Sequence, residues 1–188
     1  MQRVYPKRIN DLVKRAALRG VVSVPNANGK AASFLCGVSI AFTVRVDTES
    51  LRVEDAGFST NGCGYVVAAA ELLCDAISGT ELFRLEGGAV LETRVNTELE
   101  DVPENRIHCV NLCFDALNSA LEQFRKRRIT TWEGDDPLVC SCFDVSESAI
   151  RKEIDTKGLR SIEEVGESVR AGTGCGSCQM TIGEILDL

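Results

Sequence analysis

The sequence predicts an α+β chain in two parts, a small antiparallel sheet packed against helices and then a small all-helical domain. Three features predict this. Ile40, Phe42, Val44 and Val46 alternate with Ala41, Thr43 and Arg45, the period of a half-buried strand. Val110, Cys113, Phe114, Leu117, Leu121 and Phe124 recur at the spacing of one helix face. Charge is unevenly placed: residues 1–130 hold 16 basic and 16 acidic side chains and residues 131–188 hold 5 and 12, so the second part carries the whole net charge of -7. The predicted domains are therefore 1–130 and 138–188, with Thr131 to Pro137 as the linker.

The elements follow in order. Pro6 can open a helix, Ile9, Leu12, Val13, Ala16 and Ala17 share its face, and Gly20 closes it. Residues 25–33, rich in Asn, Gly and Ala, read as a loop. The strand Ser39 to Asp47 turns through Asp47 to Ser50 into a second strand at Leu51, Val53 and Asp55, paired antiparallel with it, and Phe34 to Cys36 is the candidate third strand. Gly57 to Gly64 reads as a loop, and a helix follows with Val66, Ala69, Ala70, Leu73, Cys74 and Ile77 on one face. Glycines at 79, 87 and 88 punctuate the next stretch, residues 89–106 hold one short helix, and the long helix starts near His108 or Cys109. The run Arg125 to Arg128 reads as a helix C-terminus, where cations complement the dipole. Beyond the linker, Asp144 to Glu147 and Ser161 to Glu164 fit the capping-box pattern, Gly158 and Gly172 are stops, and a last helix runs from about Ser177 to Leu186.

Composition narrows the function classes. The apolar runs fall far short of the roughly 20 residues of a membrane span. No apolar signal core follows the basic residues of the N-terminus, so the expected location is cytoplasmic. The acidic second part argues against a nucleic-acid partner. A reducing compartment argues against structural disulfides, yet there are nine cysteines, which points to metal or thiol chemistry. There is no Walker-type phosphate loop, no His-Glu-x-x-His and only one histidine to act as a base, so no enzymatic turnover is expected.

Two cysteine groups carry the chemistry. Cys140-Ser-Cys142 precedes Cys175-Gly-Ser-Cys178 by 32 residues. Two close pairs make a four-thiolate site, suited to tetrahedral zinc or to an iron–sulfur cluster, in a domain small enough to need a metal as a staple. In the first part, Cys36 precedes Gly37 at a strand edge, Cys63 lies in Asn-Gly-Cys-Gly before a helix, and His108-Cys109 opens the long helix. Helix N-termini favour thiolates, and these three cysteines with His108 can converge on one open site. Cys74 and Cys113 fall on apolar helix faces and read as core.

The run Cys140-x-Cys142, then helix–turn–helix, then Ala171-Gly-Thr-Gly-Cys-Gly-Ser-Cys178 resembles the ferredoxin domain of the bacterioferritin-associated ferredoxin family. That resemblance implies a permanent 2Fe–2S cluster on Cys140, Cys142, Cys175 and Cys178. The strand-edge Cys36-Gly37, the run Phe58 to Cys63 and Ile107-His-Cys109 resemble the IscU/NifU scaffold family, and the order of the two parts is that of NifU. This implies an IscU/NifU-like fold and a scaffold that accepts sulfur and iron, builds a transient cluster and transfers it to apo iron–sulfur proteins. Its thiols are Cys36, Cys63 and Cys109, with His108 as an alternative or additional ligand to the cluster, iron or zinc. A cysteine desulfurase is the implied sulfur donor, with Cys109 as first acceptor. An electron donor and a homodimer are further candidate partners. Three departures from the family stand out. Val38 replaces an aspartate, Asp101 to Arg106 replaces the chaperone-binding Leu-Pro-Pro-Val-Lys, and the sequence stops at Leu188 before the further domain that NifU carries. The rival reading is a 2Fe–2S electron-transfer or redox-sensing protein with a vestigial scaffold domain.

Overall fold

The computed structural model of the chain describes residues 5–34, 36–85, 89–100, 102–130, 136–174 and 176–187. It divides into two compact units, residues 1–124 and 125–188. The linker residues 131–135, Gly87, Gly88, Asp101 and Cys175 lie outside the described residues.

The larger unit begins with α1 (Lys7–Ala16) and continues into a three-stranded antiparallel sheet, β1 (Ala27–Ala32), β2 (Ser39–Val46) and β3 (Val53–Thr60), in the order β1-β2-β3. Then come α2 (Gly64–Ile77), α3 (Ala89–Leu99) and α4 (Ile107–Thr130). The alternation in β2 works as expected: Ile40, Phe42, Val44 and Val46 are buried against Val66, Leu73 and Ile77 of α2 and Leu117 of α4 in one core. Phe42 lies opposite Phe58 in the register, with ring centroids 6.0 Å apart.

Two expectations are corrected. The third strand is β1, within the stretch that reads as a loop, while Phe34 and Cys36 form a turn. Residues such as Asn28, Gly29 and Lys30 have little strand propensity. Packing explains the strand instead: a Cβ on Gly29 would lie 2.2 Å from Ala116 O and Ala120 N, so only glycine lets β1 pass this close to α4. From α4, Gln123 Oε1 accepts a hydrogen bond from Asn28 N at 2.7 Å. Likewise Gly57 to Thr60 are not loop but the end of β3, and Gly57 N-terminal to Phe58 lets the chain at Gly20 press onto the strand.

Helix α1 is clamped to α2 by charge. Glu71 is only 1% exposed and accepts hydrogen bonds from Arg15 Nε at 2.8 Å, Arg19 Nε at 2.6 Å and Arg19 Nη2 at 3.1 Å. Asp75, one turn on, pairs with both arginines as well. A carboxylate so deeply buried is tolerable only with such partners.

The smaller unit holds a short two-stranded ladder, β4 (Leu138–Cys140) with β5 (Val145–Ser146), which the helical reading did not anticipate, and helices α5 (Glu147–Lys157), α6 (Ile162–Val169) and α7 (Gln179–Ile185). Ser146, not Asp144, caps α5, its hydroxyl accepting from Ala149 N at 3.4 Å, while Asp144 takes a left-handed turn at φ 52 and pairs with Arg128. Ser161 caps α6 through Glu164 N at 3.2 Å, and Glu164 accepts from Arg160 N at 2.6 Å. Gly158 ends α5 in the left-handed region, as expected, but α6 ends on Arg170 rather than Gly172. Among the described residues no helix is long and apolar enough to cross a membrane.

Candidate metal centres

Three segments of the larger unit bring the sequence-predicted residues together. Cys36 sits in the β1–β2 turn, just before Gly37 at φ 67, a backbone conformation that favours glycine. Cys63 is the residue that caps α2, and His108 and Cys109 lie in the first turn of α4. His108 Nε2 is 3.4 Å from Cys36 Sγ and 3.4 Å from Cys109 Sγ, and Cys109 Sγ is 3.8 Å from Cys63 Sγ. The four side chains thus form a chain of contacts. As they stand, no three His, Cys, Asp or Glu side chains among the described residues close into a metal shell. Binding an ion therefore asks these side chains to turn inward from pairwise contact.

Neighbours that carry no metal-binding signature hold the turns in place. Asn61 Oδ1 accepts from Ser39 N at 2.7 Å and Asn61 Nδ2 donates to Gly37 O at 3.2 Å. Thr60 Oγ1 donates to Ser39 O at 2.6 Å and accepts from Gly62 N at 2.9 Å. These bonds tie the Cys63 approach to the Cys36 turn. Sequence reasoning missed them; the available signal was a short polar pair directly before Gly62-Cys63, the residue types that bond neighbouring backbone. Tyr5 braces the same corner, its hydroxyl accepting from Gly64 N at 3.1 Å and its ring meeting Tyr65 edge-on at 5.5 Å.

The thiols differ in character. Cys36 is exposed, and the Ser33 hydroxyl, the Val38 amide and His108 together lower its pKa to about 7. Cys109, expected to be favoured as a thiolate by its helix start and to accept sulfur first, is 1% exposed. Burial, with Cys63 beside it, raises its pKa to about 11, so desolvation outweighs the Arg106 guanidinium. Cys74 and Cys113 are fully buried core residues; burial pushes Cys74 up to about 12 and Cys113 upward too. Val38 packs partly buried against the core, so its side chain offers the site no ligand.

In the smaller unit Cys140, Cys142 and Cys178 are buried together. Cys142 donates to Cys140, and the amides of Gly172, Phe143 and Cys142 add to it, lowering the Cys140 pKa to about 5 despite burial; Cys142, which keeps the shared proton, is raised. Burial and the nearby Cys140 raise Cys178 to about 11. Arg170 lies over the Phe143 ring, 4.1 Å from its centroid, which ties the Cys142 loop to the segment leading to Cys178. Gly172 at φ 83 turns its amide toward Cys140, and Gln179 Nε2 holds Gly172 O at 3.0 Å. Soft, buried sulfurs with amide donors aimed at them fit an iron–sulfur cluster. Cys175, the fourth predicted ligand, lies outside the described residues.

Comparison with known proteins matches residues 4–131 to the model of the NifU-like N terminal domain and residues 138–187 to that of the BFD-like 2Fe-2S binding domain. The nitrogen fixation protein NifU of Trichormus azollae is 32% identical over 169 residues, 89% of this chain and 56% of that protein. The iron-sulfur cluster assembly scaffold protein IscU of Aquifex aeolicus is 30% identical over 123 residues, 64% of this chain and 75% of that protein. The chain thus spans little more than half the length of the NifU relatives it matches. The crystal structure of a NifU-like N-terminal protein from Brucella abortus shares the fold, with a TM-score of 0.50 at 20% identity, covering 66% of this chain and 96% of that one.

Proposed function

This chain belongs to the family of NifU-like N terminal domains, followed by a BFD-like 2Fe-2S binding domain, and we propose that it is a scaffold on which an iron–sulfur cluster is assembled and then handed to apo iron–sulfur proteins. The observation that carries this reading is the contact chain Cys36–His108–Cys109–Cys63, drawn from three separate segments. Three soft sulfurs and an imidazole at a partly exposed corner suit the capture of iron and sulfur as cargo. A cysteine desulfurase supplies the sulfur. Cys36, exposed and lowered to about 7, is the thiol best able to capture iron from solution. The sequence-predicted domain of residues 1–130 does this work and that of residues 138–188 holds a resident 2Fe–2S cluster on Cys140, Cys142, Cys175 and Cys178. When bound, that cluster supplies one-electron redox chemistry. The protein's own part there is to bury the sulfurs, aim the Gly172 and Phe143 amides at Cys140, and lock the two loops through Arg170 and Phe143. An electron donor and self-association complete the proposal; no catalytic turnover belongs to it.

The test is iron, zinc and acid-labile sulfide per chain on anaerobically prepared full-length protein, beside Cys36→Ser and Cys140→Ser. The reading expects about two irons and two sulfides that survive chelation and vanish in Cys140→Ser. It also expects iron and sulfide that a chelator removes and that vanish in Cys36→Ser. If the second class never forms, even with desulfurase, cysteine and iron, the redox-protein alternative replaces it. Zinc without sulfide overturns both.

A further inference from the structure

The two thiols in direct contact in the larger unit are those of Cys63 and Cys109, sulfur to sulfur at 3.8 Å. Each is fixed by its own helix start, Cys63 capping α2 and Cys109 in the first turn of α4. Their access differs: Cys63 is partly exposed, whereas Cys109 is closed off from solvent. Cys113, deeper in α4, is turned away, its thiol bonded to Val66 O at 3.5 Å and Cys109 O at 3.3 Å. Cys36 is held apart from Cys109 by the imidazole of His108, which touches both. Among the described residues of the larger unit, Cys63 is therefore the one thiol that both meets solvent and abuts a second thiol sealed from it.

Resting on the scaffold reading, we propose that Cys63 and Cys109 are a carrier and its resolving thiol: sulfur arrives on Cys63 as a persulfide, and Cys109 cleaves it to release sulfide for the cluster. Cys109 Sγ attacks Cys63 Sγ, the inner sulfur, because that is the atom it touches. A Cys63–Cys109 disulfide forms, the bond from Cys63 Sγ to the outer sulfur breaks, and the outer sulfur leaves with the bonding pair. With the proton from the Cys109 thiol it departs as hydrogen sulfide. The outer sulfur gains two electrons, one from each cysteine sulfur, so no outside reductant is consumed in this step. A dithiol then reduces the disulfide and returns both thiols for iron. Attack on the outer sulfur would only pass the persulfide along. Burial of Cys109 gives the step its direction, since neither the donor nor small thiols in solution can reach the resolver, while its contact with Cys63 makes the attack intramolecular.

The experiment uses metal-free full-length protein, charged anaerobically with inorganic polysulfide, desalted, alkylated and mapped by mass spectrometry without reduction. The expected result is a Cys63–Cys109 disulfide with one sulfide released for each. In Cys109→Ala the Cys63 persulfide should last at least about tenfold longer with little sulfide released. Cys109→Ser, with far-UV circular dichroism on both variants, guards against a folding defect. A wild-type persulfide on Cys63 as long-lived as that of the variants, or a disulfide between other cysteines, would overturn the proposal. In parallel the wild-type protein is given iron and inorganic sulfide, which bypasses the persulfide. Loading that depends on Cys36, without the disulfide in the first arm, defeats the resolving pair and leaves the scaffold standing. A disulfide with no loading severs the pair from assembly and overturns the proposal along with the scaffold reading.

Discussion

Replacing Gly29 by alanine tests how the sheet is tied to the helix that carries His108 and Cys109. The added Cβ would lie 2.2 Å from both Ala116 O and Ala120 N. Real Cβ contacts essentially never fall under 3.0 Å, so β1 and α4 must part by at least 0.8 Å or the strand must twist away. Both obstacles are backbone atoms of a helix interior, and neither can step aside by a rotamer change. Overpacking of this kind costs about 1–3 kcal/mol, and rigid obstacles put it at the upper end. Against it stands about 0.4–1 kcal/mol gained because alanine restricts the unfolded chain. The net expectation is a loss of about 2 kcal/mol, or a fall of several degrees in Tm for a unit of this size. Urea unfolding followed by far-UV circular dichroism measures it on the full chain, with each unit's transition fitted separately. Because β1 leads into the Cys36 turn and α4 starts with His108 and Cys109, the same substitution should widen the 3.4 Å contact between Cys36 and His108 and slow iron loading there. Stability within about 0.5 kcal/mol of the parent would refute the close approach of strand and helix.

Three further outcomes are expected. Arg19→Met removes two of the three bonds to the buried Glu71 carboxylate and should cost about 3 kcal/mol, while Arg15→Met, half exposed, should cost about 1; equal urea midpoints would contradict the clamp. Alkylation of Cys36 in metal-free protein should rise with pH through about 7, because the thiolate is the reactive form and dominates only above that pKa, and it should fall off below it. Ser33→Ala removes the largest stabiliser of that thiolate and should move the profile upward, whereas Cys109, closed off from the reagent, should stay unalkylated across that range; mass spectrometry of alkylated peptides separates the two. Gly183→Ala, in the interior of α7 with Ile162 no nearer than 3.8 Å, should stabilise the smaller unit by about 0.5–1 kcal/mol in thermal unfolding, and a loss would show that α7 packs more tightly there.

What the sequence by itself determined were the features written in local chemistry. The β2 alternation, the α2 and α4 faces, the Ser161 cap and the Gly158 stop depend on residues a few positions apart, and each appears as expected. The placement of Cys36, Cys63 and Cys109 was legible too, since each stands at an element end beside a glycine or the single histidine.

The tertiary structure decided whatever depends on atoms distant in the chain. Residues 27–32 have no strand signal of their own and become β1 because Gly29 fits against Ala116 and Ala120 of α4. The helix start at Ile107 suggested a reactive Cys109, but burial by the surrounding core reverses that, and the thiolate character passes to Cys36 through Ser33 and Val38. Asn61 and Thr60 look like ordinary loop residues until the fold sets them against Gly37 and Ser39. The contact between Cys63 and Cys109 joins residues 46 positions apart. Residue spacing along a strand or helix is fixed by backbone geometry and can be read in one dimension. Burial and through-space contact exist only once the chain has packed, and they decide which of these thiols meets solvent and which meets another sulfur.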